Sequence, residues 1–344
     1  MAIQGIINRQ YNIATGDFPD INLPKFNHYT LGNLRGGIGK TTLSFNLSYL
    51  GGDVLSVDTC PQGNLSYFFD KEYYDHNTLS VGDLILPYLV PGLGKASHVA
   101  QSVEATNEYF KDRNTYFIPS SKELYLMPSQ LISALNQAAS LPTERIVKVQ
   151  ESILYSLKEE LKREMLEIGK VTKCLIDTSP FFAGATQLAW YATDALIVPV
   201  RTDQQSIQSL ELLINVLSSP SSEFRKYLPN VKTPKIQMVI LTHCGWSTIA
   251  GARNKPNQQT ELYVQKAYDI LSRHRTLLST DNPDNHICML DDFLGSGRIS
   301  SALQKPIELL NPGESKTIDR IKVSVNDSVT KCKYQLKFIN SLIW

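Results

Sequence analysis

The sequence predicts an α/β fold: a doubly wound, mostly parallel sheet with helices on both faces. Three observations predict it. A glycine-rich turn closing on Gly-Lys-Thr lies between a short apolar run and a stretch of helical spacing. Two further apolar runs each end in an aspartate, Asp58 and Asp177. Strand-like runs then alternate with helical stretches through most of the chain, the order that builds parallel sheets.

The first element is the apolar run His28-Tyr29-Thr30-Leu31-Gly32, read as a strand. It leads into Arg35-Gly36-Gly37-Ile38-Gly39-Lys40-Thr41-Thr42, and Leu43 to Leu50 follows with helical spacing. Strand, glycine-rich turn and helix are the context of a phosphate-binding loop, so the sheet is of the P-loop NTPase type. Glycines let successive backbone N–H groups turn inward towards phosphate oxygens, and the helix adds its positive N-terminal end. Gly36 through Thr42 are therefore the candidate nucleotide-binding residues. Lys40 would reach the β- and γ-phosphates, and the Thr41 hydroxyl would ligate Mg²⁺. The generic loop has a glycine where this chain has Leu34, and the pair Gly36-Gly37 behind a basic residue marks a different variant.

Val54 to Val57 reads as a buried strand with Asp58 at its C-terminal end, the edge where ligands bind in open parallel sheets. Asp58 is a second candidate ligand for Mg²⁺. Lys173 to Asp177 repeats the pattern, and Asp177 is the third. Leu124 to Ser129 reads as a strand, 144–169 as an amphipathic helix broken near 150, and Ala189 to Asp194 as the helix after Asp177. Ala195 to Val200, Lys235 to Leu241 and His286 to Leu290 read as strands, with helices at 205–217 and from Glu261 to Arg275. The echo Gly92-Leu93-Gly94-Lys95 has neither a strand before it nor a Ser or Thr after it, and it is set aside.

Composition excludes several classes. The chain has 344 residues and a net charge of +1, so any nucleic-acid or membrane contact must come from a local patch. Five scattered cysteines form no short metal-type pair, which argues for a reducing cytoplasm and against an iron–sulfur cluster. There is no apolar run long enough to span a bilayer and no secretory leader. Between Gly251 and Arg275 the bases Arg253, Lys255, Lys266, Arg273 and Arg275 face two acids, a net of +3. The last residues place Leu336, Phe338, Ile339, Leu342 and Ile343 on one face of a helix, with Lys333 and Lys337 opposite. Three parts are expected: an N-terminal extension over 1–25, one nucleotide-binding domain over 26–314, and a basic amphipathic tail over 315–344.

The loop, Asp58 with Pro61-Gln62-Gly63-Asn64, and Asp177 together resemble the ParA/MinD family of dimerising ATPases with a deviant phosphate loop. The likeness spans most of 26–310. It implies an ATP·Mg²⁺-dependent homodimer of the ParA branch that binds DNA non-specifically and segregates or positions DNA or another cargo. It also implies a stimulating partner of ParB type or a cargo adaptor, and a cytoplasmic, nucleoid-associated location. The DNA-binding role would fall on Arg253, Lys255, Lys266, Arg273 and Arg275. Two positions depart from the family pattern. The signature lysine that reaches the partner's phosphates is Arg35 here, and the second aspartate, which orients the attacking water, is Cys60. Lys40, Arg35, Asp58 and Cys60 are thus the catalytic positions, and the cysteine implies slow hydrolysis. Two alternatives follow: a weakly hydrolysing nucleotide-switch scaffold, and a MinD-like positioner that sits on a membrane through its tail.

Overall fold

The computed structural model describes residues 3–75, 78–247 and 254–344. The chain opens with helix α1 (Gln4–Thr15), strand β1 (His28–Leu31), helix α2 (Lys40–Gly51) and strand β2 (Val54–Asp58). Helices α3 (Asn64–Phe69) and α4 (Val81–Leu89) follow, then the short strands β3 (Gln101–Ser102) and β4 (Tyr116–Ile118). Helices α5 (Met127–Ala139), α6 (Thr143–Leu154) and α7 (Ser156–Ile168) lead to β5 (Lys173–Asp177), α8 (Ala185–Ala192) and β6 (Ala195–Arg201). Next come α9 (Gln204–Ser218), β7 (Lys235–Cys244), α10 (Gln258–Arg273), β8 (Ile287–Asp291) and α11 (Leu294–Leu303). The chain closes with a hairpin, β9 (Ser315–Ile318) and β10 (Ile321–Ser324), and helix α12 (Val329–Ile343).

Eight strands form one sheet in the order β3-β4-β2-β5-β1-β6-β7-β8. All its pairings are parallel except β3 with β4. The parallel strands are buried along nearly their whole length because helices cover both faces. Alternation still decides which face each side chain serves. On β6, Leu196, Val198 and Val200 join the larger apolar cluster under α4 to α10, while Ala195 and Ile197 join the cluster under α2, α11 and α12.

The strand order puts β1 between β5 and β6, and β5 between β1 and β2. The loop after β1 therefore leaves the sheet beside the carboxylates that end β2 and β5. Leu31 is in register with Asp177, and Asp58 with Asp177 across the next pair.

Several local readings change. Residues 124–129 are not a strand: Lys122–Tyr125 is a 3₁₀ turn capped by the Ser121 hydroxyl, and Pro128 lies in the first turn of α5. A proline there loses no helical hydrogen bond. The strand slot next to β2 is filled by β4 instead. The helix after Asp177 begins at Ala185, earlier than read, and ends at Ala192. The 144–169 helix breaks at Tyr155. The N-terminal extension contains a helix, α1, closed by Gly16 at φ 89°, a left-handed conformation suited to glycine.

The apolar face of the last helix packs inward. Leu336, Phe338, Ile339, Leu342 and Ile343 are all buried in the cluster with Ile13, Leu43 and Leu47. That burial leaves the tail without the free apolar face that membrane binding requires. No helix among the described residues is long and apolar enough to cross a membrane. The five cysteines are free and buried at separate places, and Lys95 of the glycine echo pairs with Glu160, away from the phosphate loop.

Candidate nucleotide site

The loop between β1 and α2 turns on two glycines in the left-handed region, Gly37 at φ 70° and Gly39 at φ 86°. A side chain at either would meet no atom within 4 Å, so the space beside both glycines is open. Gly39 is the N-cap of α2, which aims the helix's free N–H groups at that space. Lys40, the first residue of the helix, is buried, and its ammonium donates to the Arg35 carbonyl at 2.7 Å and the Asn33 carbonyl at 3.2 Å. Burial pulls its pKa down while the Asp177 carboxylate pulls it up, with burial prevailing. Lys40 thus spans the loop from within and holds a positive charge beside the cradle.

The three oxygen-bearing candidates converge. The Thr41 hydroxyl donates to Asp177 Oδ2 at 2.8 Å. Asp58 and Asp177 are neighbours in register, both essentially without solvent exposure. Asp58 Oδ1 accepts the Cys60 N–H at 3.0 Å, and its Oδ2 accepts the Ser66 N–H at 2.8 Å and hydroxyl at 2.9 Å. Those bonds only partly compensate. Burial, with the nearby Asp177 charge, pushes the Asp58 carboxyl up to about 7. Burial raises Asp177 as well, against the bonds from Thr41 and Ser44. One hydroxyl and two crowded, dehydrated carboxylates form a set of hard oxygen donors, which fits Mg²⁺ and not a soft metal. A divalent cation here would offset the burial and the Asp177 charge that together lift Asp58.

Cys60 lies at the rim of this cluster, buried, with its thiol pushed up to about 12 by burial first. It is a neutral thiol at physiological pH and has no carboxylate's capacity to orient or deprotonate water. Arg35 does not point across the loop. Its guanidinium pairs with Asp203 and donates to Ser206 Oγ at 2.9 Å, the first the N-cap of α9 and the second in its first turn, in the same chain. Asp203 also accepts the Ser206 N–H at 2.9 Å.

Three supporting residues escape the sequence reading. Ser44 donates to Asp177 Oδ1 at 2.8 Å. Its spacing from Thr41 on one helix face is the available signal. Ser66 fixes Asp58 and also accepts the Ser120 N–H at 2.9 Å. Asn33 takes the Ser209 hydroxyl and donates to the Pro199 carbonyl at 2.6 Å, tying the loop to β6 and α9. No sequence spacing announces Ser66 or Asn33, because their partners lie on other elements.

Gly37, Gly39 and Thr42 also border a cavity of about 770 Å³ that runs on towards Thr242, His243 and the segment after β8.

Two of the predicted basic residues lie on α10. Lys266 and Arg273 lie two turns apart on the side facing α9. Lys266 donates to Gln204 Oε1 at 2.6 Å, and Arg273 lies 3.5 Å from the Glu211 carboxylate. Lys255 and Arg275 are exposed before and after the helix. Arg253 lies outside the described residues.

Residues 28–229, more than half the chain, match the family described as AAA domain. Among curated proteins, the sporulation initiation inhibitor protein Soj of Bacillus subtilis is 26% identical over 189 residues, covering 54% of this chain and 62% of Soj. An uncharacterized protein of Methanocaldococcus jannaschii is 24% identical over 193 residues, covering 55% of this chain and 64% of that protein. The chain thus matches less than two thirds of these relatives' length. Among solved structures, the ATP complex of Cyanothece McdA superposes with a TM-score of 0.57 at 18% identity, covering 82% of this chain and 89% of McdA. A Borrelia burgdorferi protein described as a plasmid partition protein, bound to AMPPNP, gives 0.50 at 16% identity, covering 93% and 100%. The shared fold and the loop define a P-loop NTPase fold. The chain belongs to the AAA-domain family matched over residues 28–229 and to the ParA/MinD family of Walker-type ATPases.

Proposed function

We propose that the chain is a ParA-like ATPase that binds ATP·Mg²⁺, dimerises around it, and as a dimer binds DNA non-specifically to position DNA or another cargo, with slow hydrolysis. The observation that carries this reading is the convergence of the Gly37–Gly39 cradle and Lys40 on the Thr41, Asp58 and Asp177 oxygens. That McdA was captured as an ATP complex and the Borrelia protein with AMPPNP supports the nucleotide.

In this reading the loop N–H groups and Lys40 hold the phosphates, while Thr41, Asp58 and Asp177 hold Mg²⁺. The ion would neutralise charge on the β- and γ-phosphates. Positioning does most of the catalysis, and water attacks the γ-phosphate in line. Cys60 leaves that water without an orienting carboxylate, so turnover is slow until a partner of ParB type or a cargo adaptor acts. Arg35 serves a partner subunit only after leaving Asp203, so dimerisation and the opening of that ion pair are coupled. Lys255, Lys266, Arg273, Arg275 and Arg253 supply the DNA contacts.

The test is binding to random-sequence duplex DNA with ATP·Mg²⁺, with ADP·Mg²⁺ and with neither, over a range of salt. Tight, salt-sensitive binding with ATP alone is expected, since each phosphate contact releases counterions. No binding in any state would remove the DNA-positioning role. The neutral thiol of Cys60 favours a second reading, a nucleotide switch in which ATP holds a dimer that scarcely turns over. Single-turnover kinetics separate it from a cycling ATPase.

A further inference from the structure

The hairpin β9–β10 stands against the far end of the 770 Å³ cavity, outside the family-matched region. Its pairing puts Ile318 opposite Ile321, with Val323 two residues on and therefore on the same face. All three border the cavity, while Thr317 and Lys322 lie on the other face. Ile321 is 63% exposed. The ribbon thus has an apolar face and a polar face, and the apolar one is turned to a space whose other end is the phosphate loop.

The hairpin's placement is fixed at its base. Gly295, in the first turn of α11, comes so close to β10 that a Cβ there would lie 2.3 Å from the Ser324 carbonyl oxygen. Its N–H donates to Asn326 Oδ1 at 2.9 Å. The Glu314 carbonyl accepts the Val325 N–H at 2.7 Å, and the Glu314 carboxylate pairs with Lys305 at 3.0 Å. At the tip, Asp319 and Arg320 both have positive φ, at 49° and 67°, forming a tight two-residue turn.

Gly37, Gly39 and Thr42 line the same cavity as the hairpin, so that cavity is open space continuous with the phosphate loop. We propose that the β9–β10 hairpin is the nucleoside-gripping wall of the site: Ile318, Ile321 and Val323 pack on the base of a bound nucleoside triphosphate, with Gly295 as the positioning residue that lets the ribbon approach. This rests on the nucleotide-binding reading above. A flat aromatic base and an apolar ribbon face are chemically matched, and neither Ile nor Val can contribute to holding phosphate.

The test compares binding of ATP·Mg²⁺ with that of inorganic tripolyphosphate·Mg²⁺ by calorimetry, using the full chain. Ile318→Ser with Ile321→Ser should weaken ATP by about tenfold, the worth of a partly buried pair of aliphatic side chains. Tripolyphosphate affinity should stay unchanged. Gly295→Ala should produce the same split, and Lys322→Ala, on the polar face, should produce none. In the unaltered protein, amides of residues 318–323 should gain hydrogen-exchange protection with ATP and not with tripolyphosphate. An unchanged ATP affinity in the double variant, an equal loss for both ligands, or no ATP-specific protection would overturn the assignment. If the unaltered chain binds tripolyphosphate but discriminates ATP no further, the loop reading survives and the hairpin role falls. If it binds neither, the nucleotide reading itself fails.

Discussion

The two ends of the cavity beside the phosphate loop are built in opposite ways. At the phosphate end, Gly36 to Thr42 are contiguous, and the groups that matter are backbone N–H, one ammonium and one hydroxyl delivered by a single strand–turn–helix. At the other end, the walls come from Thr242 and His243, from the segment after β8, and from a hairpin beyond residue 314. The phosphate end is polar and tightly bonded, and at the far end the aliphatic side chains of the hairpin share the lining with His243, Asp291, Asp292 and Arg298. The difference teaches which chemistry each end can hold: a local segment suffices to wrap a charged group, whereas gripping a large uncharged ring needs surfaces brought from several elements.

The largest effect should come from the phosphate end. Lys40→Ala removes both the cradle's buried charge and the bonds that hold the loop closed on the Asn33 and Arg35 carbonyls. ATP affinity should fall at least about a hundredfold, because the ammonium's charge-assisted hydrogen bonds to phosphate disappear with it. Calorimetry on a variant shown by circular dichroism to be folded would check this, and near-normal affinity would break the claim that this end dominates binding.

A gain of function should come next. Cys60→Asp restores a carboxylate where a neutral thiol stands, and steady-state ATP turnover should rise by about tenfold, below the full range a positioned general base contributes. No gain would detach Cys60 from the water-orienting role.

The crowded carboxylates make a pH prediction. Asp58 titrates near 7 in the folded protein, above its value in an unfolded chain. Between about pH 4 and 7 the native state therefore binds more protons than the unfolded one, and stability falls as pH rises through that window. Thermal melts without Mg²⁺ or nucleotide should show that slope, and Asp58→Asn should flatten it. A slope unchanged in the variant would assign the dependence to other groups.

The smallest effect is expected from Ser44→Ala. It deprives a buried carboxylate of one hydroxyl donor while Thr41 remains, so melts should show a loss of about 1 kcal/mol. A loss of several kcal/mol would mean that Asp177 depends on Ser44 far more than on Thr41.

The phosphate end was legible in the sequence because its signals are local. Glycines at fixed offsets, a lysine and threonine opening a helix, and an aspartate ending each apolar run are set by short-range backbone geometry. The strand order was legible only as a class, since periodicity reports burial and not the neighbour. Residues 124–129 show the limit: an apolar run reads as a strand, yet Leu124 and Met127 are buried while Tyr125 and Leu126 are exposed, the spacing of a helical turn, and the slot beside β2 belongs to β4. The basic run after Gly251 likewise gave charge without placement, and only packing set Lys266 against Gln204 and Arg273 against Glu211.

By itself the sequence determined the doubly wound α/β class, the phosphate loop, the two strand-ending carboxylates and the departures at Arg35 and Cys60. The tertiary structure alone decided that Arg35 pairs with Asp203, that Ser66 braces Asp58, that the tail's apolar face closes the core, and that a hairpin far along the chain borders the same cavity as the phosphate loop. The physical reason is range: covalent neighbours fix φ, ψ and helix caps, but ion pairs, buried apolar faces and cavity walls depend on which distant segments the strand order brings within contact.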